Sequence, residues 1–151
     1  MTDELFFDTD CLSSFLWIND TNILHTLYGG RIILPEPVYM ELSSPAIPHI
    51  KQRADMLIRN KDASIFHIET GTGEYSLYRS LIRPEKGVKQ IGRGEAAGIA
   101  LAKQYNGILA SNNYKDIIPY VNKYGLKHTS TPDILVEAFE KNLITELDGN
   151  N

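Results

Sequence analysis

A chain of 151 residues with 42% hydrophobic and 23% charged residues has the make-up of a globular protein and can bury about 70% of its unfolded surface. A net charge of −4 argues against sequence-blind coating of nucleic acid, which needs many Lys and Arg contacts to phosphate, and the single cysteine, Cys11, excludes an internal disulfide or a multi-cysteine zinc site. The apolar runs are too short to cross a bilayer, and Asp3 and Glu4 stand where a leader would carry basic residues, so a cytoplasmic protein with no membrane partner is expected.

Leu5-Phe6-Phe7 predicts a short strand that ends at Asp8. Cys11 to Ile18 then carries Leu12, Phe15, Leu16 and Trp17 at helical spacing, and Gly29-Gly30 closes that helical region. Arg31 to Leu34 is a β-branched strand stopped by Pro35, and Pro37 opens a helix running to Leu42. After breaks at Pro45 and Pro48, Ile50, Ala54, Leu57 and Ile58 mark one face of a helix between His49 and Lys61. Ser64 to Glu69 predicts a strand, Gly71-Thr72-Gly73 a loop, and Tyr75 to Arg83 a helix.

Gly94 to Tyr105 is an Ala-rich helix, Ile108 to Ala110 a strand, and Tyr114 to Tyr124 a helix with its stripe at Ile117, Ile118, Val121 and Tyr124. Leu126 to Ser130 predicts a last strand. Thr131-Pro132-Asp133 then starts a helix, with Thr131 as N-cap and Ile134, Leu135, Ala138 and Phe139 as its apolar side. This alternation predicts an α/β fold, a single three-layer α/β/α domain over residues 1–151 with a parallel sheet of four or five strands. In the order 3-2-1-4-5 the first and fourth strands are neighbours, and Asp8 meets the Ser111-Asn112-Asn113 cluster.

Four acids stand at element ends: Asp8 after the first strand, Glu41 in the helix after the second, Glu95 opening the Ala-rich helix, and Asp116 just past the fourth strand. In open α/β sheets the ligand crevice lies beyond the carboxyl ends of the strands. Chain-distant carboxylates gathered there suit a hard ion such as Mg²⁺ or Mn²⁺, which binds through one or two carboxylates, waters and substrate phosphates. The matching chemistry is hydrolysis of a phosphodiester by metal-activated water. Any one of these acids taken alone, Glu95 above all, reads first as a helix-dipole partner or cap; it is their joint placement that points to a site.

Arg79, Arg83, Lys86, Lys89 and Arg93 fall in one short segment whose only acid is Glu85. They form either a phosphate-binding flank or a solvated helix face. Gly71-Thr72-Gly73 and Gly92-Arg93-Gly94 lack the context of a nucleotide cradle. The four histidines show no metal-ligand spacing.

Phe6-Phe7-Asp8-Thr9-Asp10, Pro35 to Leu42, Gly94 to Ala102 and the Ser111 cluster, in this order and spacing, resemble a PIN domain, the small metal-dependent ribonuclease fold of bacterial toxins and RNA-processing nucleases. The resemblance implies a metal-dependent ribonuclease (a hydrolase) and makes it a candidate for the toxin of a toxin–antitoxin pair. RNA and an antitoxin protein are the implied partners, together with the homodimer that many such toxins form. It implies catalytic roles for Asp8, Glu41, Glu95 and Asp116, with Asp8, Glu95, Asp116 and Asn113 around the metal. Arg79, Arg83, Lys86, Lys89 and Arg93 would lie along RNA, with Asp10, Ser111 and Asn112 at the site edge.

The sequence departs from the family pattern where Ser111-Asn112-Asn113 replaces the usual Thr-x-Asp. Asn113, or Asn112 if the match shifts by one, then supplies a neutral ligand, and Asp116 compensates. The chain resembles a bacterial and archaeal branch in which this change is typical, and whose members run on past the equivalent of Asp148 to Asn151, so a C-terminally shortened version is expected. The alternatives are a catalytically weakened PIN-like module that binds RNA or protein, and a haloacid-dehalogenase-like phosphatase with Asp8-Thr9-Asp10 as nucleophile motif. Leu12 and the lack of a paired acidic motif after Ser111 oppose the phosphatase.

Overall fold

The computed structural model describes residues 3–83, 87 and 90–141. Five strands form one sheet: β1 (Leu5–Phe7), β2 (Ile32–Pro35), β3 (Ala63–Phe66), β4 (Ile108–Ala110) and β5 (Lys127–Thr129), in the order β3-β2-β1-β4-β5. Every pairing is parallel, with Leu5 opposite both Ile32 and Ile108, and Phe7 opposite Ala110. The expected order and parallel sense are therefore observed.

Alternation along the strands divides the core into two layers. Leu5, Phe7, Ile32, Leu34 and Ala110 point to one face of the sheet. There they meet α1 (Thr9–Trp17), α2 (Asn22–Tyr28), α3 (Glu36–Leu42), α4 (Pro48–Arg59) and α8 (Thr131–Glu140). Phe6, Ile33 and Leu109 point to the other face, covered by α5 (Gly73–Ile82), α6 (Arg93–Tyr105) and α7 (Tyr114–Tyr124). With a side-chain period of two, a strand carrying apolar residues at every position is one buried on both sides, which is what Leu5-Phe6-Phe7 encodes. The Ala and Gly content of α6 lets this helix lie close on the sheet centre. All residues from Ala96 to Ala102 are buried.

Several sequence expectations shift. The helical region from residue 11 to Gly30 is two helices, because Asn19 takes a left-handed backbone with φ 54° and breaks the turn after Ile18. α1 starts at Thr9 rather than Cys11, since the Asp8 side chain accepts from the Thr9 N–H and caps it. The third strand stops at Phe66 because its partner β2 leaves the sheet after Pro35 to begin α3, so His67 to Glu69 have nothing to pair with. The N-cap of the last helix is Ser130, whose hydroxyl accepts from the Asp133 N–H, not Thr131. Trp17 and Phe139, read as core, are 54% and 48% exposed, each at the end of its helix where the apolar stripe runs past the sheet. Cys11 is buried as expected, and burial pushes its thiol up to about 12. Lys86, Lys89 and the segment from Asp148 to Asn151 lie outside the described residues.

Two glycines touch the central strands in different ways. A Cβ on Gly107 would stand 2.5 Å from the Phe6 ring and 2.7 Å from the Glu4 carbonyl, neither of which can yield. A Cβ on Gly98 would crowd the Leu109 Cδ1 methyl at 2.9 Å and stand at ordinary contact distance, 4.0 Å, from the Phe6 carbonyl. Gly107→Ala is expected to cost about 1–3 kcal/mol of overpacking. Gly98→Ala is expected to cost under about 1 kcal/mol, because alanine's helix propensity offsets the shifted methyl. Urea denaturation of the two variants measures the difference.

Candidate functional site

Asp8 is positioned by two elements at once. Its N–H donates to the Ala110 carbonyl at 2.8 Å and its carbonyl accepts from Leu12, so just past β1 it is tied to β4 and is the cap of α1. The carboxylate accepts from the Thr9 N–H at 2.6 Å through one oxygen and from the Ser111 hydroxyl at 2.9 Å through the other. Ser111 is fully buried just past β4, held by its own N–H to the Thr129 carbonyl. Adjacency of β1 and β4 thus joins residues far apart in the chain. Burial pushes the Asp8 carboxyl up to about 6; the hydrogen bonds from Ser111 and Thr9 oppose this, and the charges of Asp10 and Glu41 add to it.

Glu95 is the third residue of α6 and half-buried at the same sheet edge. Burial first, then the charges of Asp8 and Asp116, push it up to about 7, against a hydrogen bond from the Gly92 backbone. The Asn113 side-chain amide donates to Asp116 at 2.7 Å and to Glu95 at 3.3 Å, tying the two acids through one nitrogen. Glu41 is exposed on α3, where the Thr9 hydroxyl donates to it at 2.7 Å. This contact depends on Gly94. A Cβ there would come within 3.2–3.3 Å of the Thr9 hydroxyl, Val38 and the Glu41 carboxylate, so a side chain would force the Thr9 and Glu41 side chains to give by a few tenths of an ångström.

The structure gathers the four expected acids at one edge but not into one ligand sphere. Among the described residues no three His, Cys, Asp or Glu side chains stand ready to hold a metal. Asp8 is held by Ser111, Glu41 by Thr9, and Glu95 with Asp116 by Asn113. What they share is an electrostatic field, since Asp10 and Glu41 raise Asp8, and Asp8, Asp116 and Asp10 raise Glu95.

The structure also resolves the register at the end of β4. Asn113 faces the acids. Asn112 turns away, its carbonyl oxygen accepting from the Thr131 N–H at 2.7 Å and its amide donating to the Thr131 hydroxyl at 2.8 Å. Asp10 is exposed in the first turn of α1 and bonds to none of the other acids. Arg79, Arg83 and Arg93 are exposed, and Arg93 lines a groove of about 350 Å³ with Met40, Glu41 and Tyr78. Thr9 is the residue that sequence reading missed. Its signal was its place one residue after a strand-ending acid, where its hydroxyl can reach the helix that follows the neighbouring strand.

A family model described as PIN domain matches residues 4–149. The chain belongs to the PIN domain family. This fold is similar to a chain of VapBC2 from Rickettsia felis, solved bound to a DNA fragment from their promoter. The TM-score is 0.57 at 17% sequence identity, over 83% of this chain and 97% of that one. A search of curated proteins finds no match. With the PIN family shown, the phosphatase alternative is set aside.

The raised carboxyls make a prediction about stability. In the folded state the values of about 6 and about 7 lie above the ordinary 3.8 and 4.5, so between them the folded chain holds more protons than the unfolded one. Stability from these two groups is fully present at low pH and is lost as pH rises through that window. With chelator present, the thermal midpoint is expected to fall from about pH 5 to about pH 7.5. Glu95→Gln should flatten the upper half of that slope, as read by circular dichroism melts.

Proposed function

We propose that this PIN domain is a Mg²⁺- or Mn²⁺-dependent ribonuclease hydrolysing RNA phosphodiester bonds, and the toxin of a toxin–antitoxin pair. The observation that carries this reading is the pair Asp8 and Glu95. Both are driven toward protonation by burial and by neighbouring acids, and neither has a cationic partner among the described residues. Such an arrangement is unfavourable for the protein alone and favourable for a cation.

The donor set fits a hard divalent ion. Its atoms are carboxylate oxygens and one amide oxygen, and Mg²⁺ needs only one or two carboxylates when waters and phosphate complete its sphere. Asp8, Glu95 and Asp116 would hold it, with the Asn113 amide oxygen. When bound, the ion supplies a Lewis acid for the phosphate and lowers the pKa of a water. The chain's own residues do the rest. Glu95, at the start of α6, would present its carboxylate to that ion beside Asp8. Ser111 and Thr9 hold Asp8 and Glu41 in place, and Asp10, Ser111 and Asn112 shape the edge. Arg79, Arg83 and Arg93, with Lys86 and Lys89, meet the RNA backbone. An antitoxin partner is supported by the VapBC2 likeness, and no helix among the described residues is long and apolar enough to cross a membrane.

One observation favours a second reading. The Asn113 nitrogen occupies lone pairs on Glu95 and Asp116 that a cation would use, as expected of a module that binds RNA or protein without cutting.

The two readings separate by experiment. Mn²⁺ at millimolar concentration is expected to raise the melting temperature of the wild type, and Asp8→Asn to abolish that rise. Single-stranded RNA should be cleaved slowly, with cleavage stopped by chelator. Asn113→Asp should raise metal affinity or rate by about tenfold, since a carboxylate holds a hard cation better than an amide. Arg79→Ala with Arg83→Ala should weaken RNA binding and flatten its salt dependence. If metal binds but neither wild type nor Asn113→Asp cuts RNA, the binding-module reading replaces the ribonuclease.

A further inference from the structure

A second groove opens on the other side of the acidic edge from Arg93. It has a volume of about 580 Å³, with Ser111 and Asn112 on one side, Tyr114 and His128 on another, and the start of α8 at Thr131 closing it. It touches the acid cluster directly, because the Ser111 at its wall is the residue that donates to Asp8. Among the described residues no Lys or Arg lines it, and Asp133 does, so it is not built for phosphate.

It offers two rings instead. Tyr114 opens α7 at 55% exposure, and its hydroxyl makes no hydrogen bond among the described residues. Its ring lies 5.7 Å from that of His128, tilted by 37°. The His128 ring is fixed, since its Nε2 lies 2.9 Å from the Ser111 carbonyl, which can only accept, so Nε2 carries the proton. An exposed, unbonded tyrosine beside a ring held by the same serine that holds Asp8 is a stacking platform in register with the acids. The opposite groove differs in that a guanidinium, Arg93, lines it together with Glu36 and Glu41. We propose that the Tyr114–His128 groove is a nucleobase subsite, which takes one base of a single-stranded RNA by stacking while the adjoining phosphate lies over Asp8 and Glu95. The inference rests on the RNA-binding part of the function proposed above, and it deepens that reading by assigning where a base is held.

Base–aromatic stacking is worth about 1–3 kcal/mol per base and tolerates any base, so loss of the tyrosine ring should weaken binding about tenfold or more. The test uses the whole chain and single-stranded RNA carrying 2-aminopurine at successive positions, with Ca²⁺ in place of Mn²⁺ or Mg²⁺, so that the acidic edge is neutralised and binding is read without cleavage. Wild type is expected to quench the fluorophore at one position of the bound strand. Tyr114→Ala should remove that quenching and raise Kd about tenfold, and Tyr114→Phe should restore both. A parallel cleavage assay with Mn²⁺ separates this inference from the ribonuclease reading. Quenching lost in Tyr114→Ala supports the subsite even if nothing is cut, in which case the ribonuclease reading fails alone. Cleavage with identical quenching and Kd in wild type and Tyr114→Ala overturns the subsite and leaves the ribonuclease standing. Absence of both binding and cleavage overturns both.

Discussion

The pairing of β1 with β4 ends in a buried hydrogen bond, from the Ser111 hydroxyl to the Asp8 carboxylate at 2.9 Å, and the arrangement of the edge follows from it. Asp8 could not remain at 4% exposure without two donors, because an unpaired carboxylate in that position is too costly to keep. The Thr9 N–H supplies one and starts α1; Ser111 supplies the other and sets where the chain leaves β4. From there Asn113 is placed beside Glu95, and His128 is fixed to the Ser111 carbonyl. One serine therefore orders both the acidic edge and the aromatic groove.

The edge carries more negative charge than its own hydrogen bonds offset, while the rest of the molecule is well satisfied. Among the described residues no buried side-chain N or O atom lacks a partner. Both faces of the sheet are covered by helices. The repulsion among Asp8, Asp10, Glu41, Glu95 and Asp116 is thus a local cost borne by two large apolar layers, and local costs of this kind concentrate where a ligand will relieve them. Gly94 belongs to the same design. Its missing side chain lets α6 approach α1 and α3 closely enough for Glu95 to stand near Asp8.

Asn112 and Asn113 are neighbours in sequence with opposite roles. Asn112 uses its amide to hold α8 through Thr131, and Asn113 uses its amide to hold two carboxylates. A chain leaving a strand sends successive side chains to opposite sides. An aspartate at 112 would lose the donation to Thr131, whereas one at 113 would add a charge to the acidic edge.

Much of the architecture was legible in the residues themselves. Short apolar runs such as Leu5 to Phe7, alternating with helical stripes, fit strands covered on both faces and joined by right-handed crossovers, so the parallel sheet and the edge at which Asp8, Glu95 and Asp116 appear follow from local patterns taken together. Element ends were less legible: the length of β3 depends on where β2 leaves the sheet, and the break at Asn19 depends on a left-handed turn that its neighbours stabilise. Only the tertiary structure decided which asparagine faces the acids, that Thr9 reaches Glu41, and that Tyr114 and His128 meet across a groove. These are contacts between separate elements. Periodicity and spacing report the face on which a residue lies, but the distance between two faces is set by how the helices pack against the sheet.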